Sequence, residues 1–174
     1  MKKVWIGASL LLAVVTAREG LAAEVTLYTG IQQPGGLSVN NLPIDTKLGG
    51  VFGARFAAGR TLGFEQTFGL SLKFLESEQR AFNTQSNLVL TVPTGRVAPY
   101  ATVGAGLITT FGTSLFSLSD FGTKFTVNYG GGVKLRKLAG PMGLRFDVRG
   151  YSVPAVFDQT LTFVEGSVGL MFSW

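Results

Sequence analysis

Cysteine and histidine are both absent from the 174 residues. Without thiols there are no disulfides and no thiolate nucleophile. Without imidazole the usual neutral-pH general base is missing, and with both gone no recognisable zinc site can form. A cysteine-free chain also suits passage through an oxidising periplasm. Charge is scarce as well. Charged residues make up 14% of the chain, against about 25% in a typical soluble domain, too few to coat a water-facing surface. Long apolar runs are the third absence: beyond the N-terminus no run approaches the ~18 residues of a membrane-spanning helix. Yet hydrophobic residues reach 46% and mean hydropathy is +0.34. A membrane chain without helices has one remaining solution, a closed barrel, because lipid cannot satisfy an open sheet edge.

Glycine is abundant, at 24 residues, and is spread along the chain with no G-X-Y period that would indicate collagen. The N-terminus reads as a secretory signal: Lys2 and Lys3 begin it, Trp5 to Ala17 form the apolar stretch, and small residues follow. Cleavage after Ala22 or Ala23 gives a chain starting near Glu24, and Val15-Thr16-Ala17 offers an earlier site. The expected organisation is a signal at 1–23 and one domain at 24–174. The formal charge of +5 shrinks when the basic leader is removed, and it argues against nucleic acid as a partner.

Period-two alternation is the main signal in the remainder. Thr162, Val164, Gly166, Val168, Leu170, Phe172 and Trp174 share one face, opposite Glu165, Ser167, Gly169, Met171 and Ser173. Leu144, Phe146 and Val148 alternate with Arg145, Asp147 and Arg149. From Leu62 to Phe74 apolar residues alternate with Gly63, Glu65, Thr67, Gly69, Ser71 and Lys73, and Gln66 is the one polar misfit on the apolar face. Val127, Tyr129, Val133 and Leu135 alternate with polar and small residues that include Lys134. Val103, Ala105 and Leu107 do the same with Thr102, Gly104 and Gly106. Weaker strands span Val25 to Gln32, Leu48 to Ala57 and Ser86 to Val92. These spacings predict an all-β, eight-stranded antiparallel up-and-down barrel, with strands of the ~9–11 residues needed to cross a bilayer.

Short connections are predicted at Ala58–Arg60, Pro93–Arg96 and Lys137–Pro141. Longer ones are predicted at Gln33–Thr46, Glu76–Asn83, Thr110–Thr123 and Ser152–Gln159. Short periplasmic turns and longer outer loops are the expected pattern of an outer-membrane barrel. The loops lean acidic (Asp45, Glu76, Glu78, Asp120, Asp158 against Lys47, Arg80, Lys124) and the turns basic (Arg60, Arg96, Arg136, Lys137). A soluble barrel would turn its apolar face inward and expose a glycine, serine and threonine face with few charges. Turning the apolar face to lipid resolves this. Arg55, Glu65, Lys73, Lys134, Arg145, Asp147, Arg149 and Glu165 then point into the lumen, where an eight-stranded barrel is just wide enough for side chains to fill it.

The stretch from Val92 to Leu107, Val-Pro-Thr-Gly-Arg-Val-Ala-Pro-Tyr-Ala-Thr-Val-Gly-Ala-Gly-Leu, resembles the middle hairpin of the outer-membrane β-barrel domain family of OmpA and OmpX type. Asn128 to Lys134 and Leu144 to Arg149 are similar to its next two strands. Gly169, Leu170, Phe172 and Trp174 resemble the C-terminal signal read by the outer-membrane assembly machinery, with Val168 standing where a polar residue is usual. The resemblance implies a fold and an address: the outer membrane, with its lipids and the assembly machinery as partners.

Other motifs carry little. Asp120-Phe121-Gly122 spells a kinase tripeptide with none of the kinase context, and Gly104-Ala105-Gly106 follows no βαβ pattern. Those glycines are better read as room for lumen side chains from neighbouring strands. The lipid A deacylase and palmitoyltransferase barrels are of similar size, and both depend on a histidine that this chain lacks. The residues imply no cofactor, no metal and no catalytic constellation. They leave open a structural or surface-contact role, a narrow channel or lateral route for small solutes, and a soluble secreted binding barrel.

Overall fold

The computed structural model describes residues 22–35, 37–39, 42–44, 48–72, 80–111, 122–156 and 159–174. Among the described residues ten strands follow one another: β1 (Ala23–Pro34), β2 (Leu37–Val39), β3 (Leu42–Ile44), β4 (Gly49–Gly59), β5 (Leu62–Leu72), β6 (Arg80–Thr91), β7 (Val97–Phe111), β8 (Thr123–Ala139), β9 (Met142–Val156) and β10 (Gln159–Ser173). Eight of them close a barrel in the order β1-β10-β9-β8-β7-β6-β5-β4, while β2 and β3 pair as a separate small ribbon. Every barrel pairing is antiparallel: β4 to β10 pair in chain order, β1 pairs with β4 across the β2–β3 ribbon, and β1 meets β10 at the closing seam from Glu24↔Ser173 to Pro34↔Phe163. At the foot of that seam Ala23 and Trp174 exchange both backbone hydrogen bonds at 3.1 Å. The ring therefore has no open edge.

Alternating side chains set the two faces. Leu27, Leu88, Val103, Val148 and Val164 are more than half exposed on the outside, and Trp174 is 71% exposed. Thr26, Arg55, Glu65, Asn87, Arg145 and Arg149 are buried inside. This is the reverse of a water-soluble barrel, and it is the phase that the charge pattern predicts.

Turns and strand ends differ from the sequence expectation in instructive ways. At one end the connections are tight, and glycines supply the left-handed backbone they need: φ is 120° at Gly59, 90° at Gly95 and 60° at Gly140. The turn placed at Lys137–Pro141 shrinks, because β8 runs on to Ala139 past a register irregularity between Leu135 and Ala139. At the other end the strands overrun their predicted limits. Most of Ser152–Gln159, expected as a loop, belongs to the β9–β10 hairpin. Pro154 is tolerated there because the β8 ladder has already ended at Val127↔Ser152, leaving no partner there for a missing N–H. Arg80 and Lys124, assigned to loops, open β6 and β8, and Arg136 and Lys137 close β8 rather than lying in a turn. Lys73, Asp45, Lys47, Glu76, Glu78, Asp120, Asp158 and residues 1–21 of the expected signal lie outside the described residues.

Polarity inverts near that second end of β9 and β10. Below it, Val164 and Val168 face out and Glu165 and Ser167 face in. Above it, Thr160 and Thr162 face out while Val153, Leu161 and Phe163 turn inward. Those three form a buried cluster with Ala81, Ile108 and Tyr151, and the Tyr151 and Phe163 rings stack at 4.6 Å. An aqueous-type core thus sits on top of an inside-out barrel.

Candidate functional site: the charged lumen

Seven of the eight sequence-predicted lumen charges fall among the described residues, and all seven are buried inside: Arg55 on β4, Glu65 on β5, Lys134 on β8, Arg145, Asp147 and Arg149 on β9, and Glu165 on β10. The strands carry them at period two, so each projects to the lumen between outward-facing neighbours, apolar or small except for Gln66 beside Glu65. Lys73 is outside the described residues.

The arrangement is a connected net across the barrel. Arg55 donates through Nη1 to Asp147 Oδ2 at 2.7 Å and through Nη2 to Glu165 Oε1 at 2.8 Å. Its guanidinium also lies 3.8 Å from the ring centroid of Tyr28, a cation–π contact strengthened by exclusion of water. Glu65 accepts from Arg145 Nη1 at 2.5 Å and from Arg149 Nη2 at 2.8 Å. Asp147 is the hub: it accepts from Arg55, from Arg145 Nε at 3.1 Å and from Arg149 Nη2 at 3.0 Å. The hydroxyl of Tyr100 donates to it as well. Glu165 further accepts from Gln32 Nε2, the Tyr151 hydroxyl and Ser167 Oγ.

One member escaped the sequence reading. Glu24, taken there only as the first residue of the mature chain, is buried on β1 and accepts from Lys134 Nζ at 2.9 Å and Arg145 Nη1 at 3.2 Å. Its phase with Thr26 and Tyr28, opposite Val25 and Leu27, is the signal that would have found it. The aromatic members also escape a polarity pattern, because tyrosine counts as apolar: Tyr100 and Tyr151 turn their hydroxyls to the net, and Tyr28 joins it through its ring against Arg55. With Glu24 counted, the ion pairs join four cations (Arg55, Lys134, Arg145, Arg149) to four anions (Glu24, Glu65, Asp147, Glu165). The formal charges cancel.

Buried polar side chains line the rest of the described lumen. Asn128 Nδ2 donates to Gln85 Oε1 at 3.0 Å and to Asn87 Oδ1 at 2.8 Å. The glycines of β7 make room for this layer: a Cβ on Gly106 would meet Gln85 Cδ at 2.8 Å. Among the described residues no three carboxylates gather as a metal site, and the lumen carboxylates are already engaged by cations. The geometry fits structural plugging.

The C-terminal residues lie on the outer wall and at the seam. Leu170 and Phe172 face outward, Trp174 follows the last residue of β10, and Gly169 turns inward, where a Cβ would run into Thr26 Cγ2 and come 3.1 Å from the Leu27 carbonyl oxygen.

No protein-family model matches the sequence, and no curated protein matches it. Solved structures do. Neisserial surface protein A superposes with a TM-score of 0.68 at 14% identity, over 90% of this chain and 100% of that one. The N-terminal β-barrel domain of Pseudomonas aeruginosa OprF gives 0.57 at 11% identity, over 87% and 97%. The outer membrane enzyme PagL gives 0.53 at 13% identity, over 86% and 98%. These likenesses are of fold: the chain is a closed eight-stranded barrel of the outer-membrane kind.

Proposed function

We propose that this chain is an exported, integral protein of a bacterial outer membrane, without catalysis, whose barrel is closed and whose work is done by its surfaces, in envelope integrity or surface contact. The supporting observation is the lumen net: the eight described lumen charges pair with one another and tie the walls together, where a conduit would keep charges free to meet a passing ion. The outer wall agrees with a lipid setting. Moving one Arg or Lys to the lipid face near the midplane costs about 2–4 kcal/mol, and every described charge at that height points inward. Its partners on this reading are outer-membrane lipids, the assembly machinery that reads Gly169, Leu170, Phe172 and Trp174, and whatever meets the longer connections outside. β7 to β10 have 15 to 17 residues, against the ~9–11 that a bilayer requires. That surplus raises one side of the wall into water as a presenting surface.

Planar-bilayer recording with fractionation tests the proposal. The protein is expected in outer membranes, resistant to carbonate extraction, with no steady conductance. Steady ion current whose selectivity changes in Glu165→Ala while stability holds would replace this reading with a narrow channel. A soluble periplasmic pool would replace it with a secreted barrel.

A further inference from the structure

The described charges divide unevenly. The four acids, Glu24, Glu65, Asp147 and Glu165, all belong to the lumen net. Every described charged side chain outside that net is a cation. Four of these gather at the end of the barrel that carries the tight connections: Arg60 between β4 and β5, Arg96 between β6 and β7, and Arg136 and Lys137 near the foot of β8. Arg60, Arg96 and Lys137 are exposed, and Arg136 is half-buried. Among the described residues the nearest acid to this rim is Glu24, and Lys134 and Arg145 already hold it.

Two of the four stand opposite each other. One step beyond the Val97↔Leu135 pair, the backbone N–H of Arg136 donates to the carbonyl of Arg96 at 2.7 Å. That sets two arginines on neighbouring strands about 5 Å apart. Like charges directly opposite destabilise a strand pair, so an anion between them would relieve a repulsion as well as accept hydrogen bonds. Beside them Lys137 holds φ at 54°, a left-handed backbone uncommon outside glycine, within the register irregularity between Leu135 and Ala139. A bulge re-aims a side chain, and the side chain re-aimed here is a third cation.

The apolar neighbours indicate what kind of anion fits. Leu62, Val97 and Leu138 are each more than half exposed, and each stands within two residues of one of the cations. A strand advances about 3.4 Å per residue, so the cations lie within about 7 Å of side chains suited to hydrocarbon. The headgroup layer of a bilayer is about 5–8 Å deep on each side, which puts the cations at the level of lipid phosphate. An anionic phospholipid matches both halves of this rim, its acyl chains against the apolar residues and its phosphate oxygens against the guanidinium forks. A free phosphate or an acidic peptide arriving from water would meet the cations alone. Clusters of about 4–8 Lys and Arg at a membrane boundary are the usual mark of anionic-lipid binding.

We infer that the tight-turn rim binds an anionic phospholipid of the leaflet in which it stands. The phosphate sits between Arg96 and Arg136, Lys137 is the third donor, and Arg60 extends the cationic band to the next connection. This rests on the outer-membrane reading given above, and names the lipid class that this end of the barrel selects.

Native mass spectrometry tests it, on protein extracted from membranes into detergent and titrated with dioleoylphosphatidylglycerol or dioleoylphosphatidylcholine. Phosphatidylglycerol should bind about tenfold more tightly than phosphatidylcholine. Arg96→Gln combined with Arg136→Gln should erase that preference. Neither residue belongs to the lumen net, so the double variant should keep its heat-modifiable mobility. Lys137→Gly relaxes the backbone while removing a donor, so it should stay folded and still bind phosphatidylglycerol more weakly. Arg80→Gln, at the opposite rim, should change nothing. Equal affinity for the two lipids, a preference that survives in both rim variants, or the same loss in Arg80→Gln overturns the site. Inorganic phosphate or polyglutamate that displaces phosphatidylglycerol at equal concentration overturns the lipid as its occupant. Protein recovered from the soluble periplasmic fraction overturns the membrane reading and the lipid site with it.

Discussion

Replacing Glu65 with glutamine tests whether the lumen charges hold the barrel. The substitution keeps the side-chain shape and removes one negative charge from a side chain with no solvent exposure. Two guanidinium groups, those of Arg145 at 2.5 Å and Arg149 at 2.8 Å, lose their shared acceptor, and the new amide turns donors toward donors. Four cations then face three anions. Both arginines keep Asp147, so neither is stranded entirely. At an effective dielectric of 20, two charges 4 Å apart interact by about 4 kcal/mol, and removing one partner of a buried pair typically costs about 3–5 kcal/mol. Glu65→Gln should therefore lower stability by about 3–5 kcal/mol, a large part of the roughly 5–15 kcal/mol that holds a domain together. Urea titration in detergent micelles, followed by Trp174 fluorescence, measures it as a shift in midpoint at unchanged slope. Glu65→Gln combined with Arg149→Gln restores equal numbers of each sign, so the double variant should be more stable than the sum of the singles implies, by about 1–3 kcal/mol. Gln66→Leu, one residue along and facing out, should leave the midpoint in place. A loss below about 1 kcal/mol for Glu65→Gln, or strict additivity in the double variant, would refute the argument that the net is mutually dependent.

Two further outcomes follow from the geometry. Gly106→Val should cost at least about 1–3 kcal/mol by overpacking, since even a Cβ would run into the Thr84 backbone carbonyl oxygen and come within 2.8 Å of Gln85 Cα and Cδ, and the same titration reads it against Gly50→Val, whose added Cβ meets nothing. Deleting Trp174, or changing Phe172 to Asp, should sharply reduce the folded, heat-modifiable form in outer membranes. Normal insertion of both variants would dismiss the C-terminal residues as an assembly signal.

The strand alternation carried most of the architecture because the barrel wall has only two environments, and lumen and exterior select opposite residue types at every second position. That is why Arg145, Asp147 and Arg149 could be assigned inward beside Leu144, Phe146 and Val148. The alternation misleads where the surroundings change. Leu161 and Phe163 occupy the phase that lower on β10 belongs to Glu165, so a pattern anchored on apolar-outward residues stops at Thr162 and reads Ser152–Gln159 as loop. The strand in fact continues past the polarity switch. Pairing partners were beyond reach for another reason. Arg55 meets Asp147 and Glu165 across the barrel, and which strand lies opposite which depends on closure and stagger, which no local window contains.

The same cross-barrel bonds bear on how the protein is built. Its hairpins are local and can form early, as low-contact-order elements do. The charged net is the opposite. Its bonds join residues 80, 92, 110 and 121 positions apart, and its members sit on β1, β4, β5, β8, β9 and β10. Glu24, Arg55 and Glu65 emerge long before the counter-ions of β9 arrive. A partial sheet slipping into lipid would carry them there unpaired, at about 2.5–3.5 kcal/mol for each by insertion scales. Entry into the bilayer and joining of the first strand to the last are thereby forced into one step: the hairpins wait in water, and the wall goes in when the circle can close.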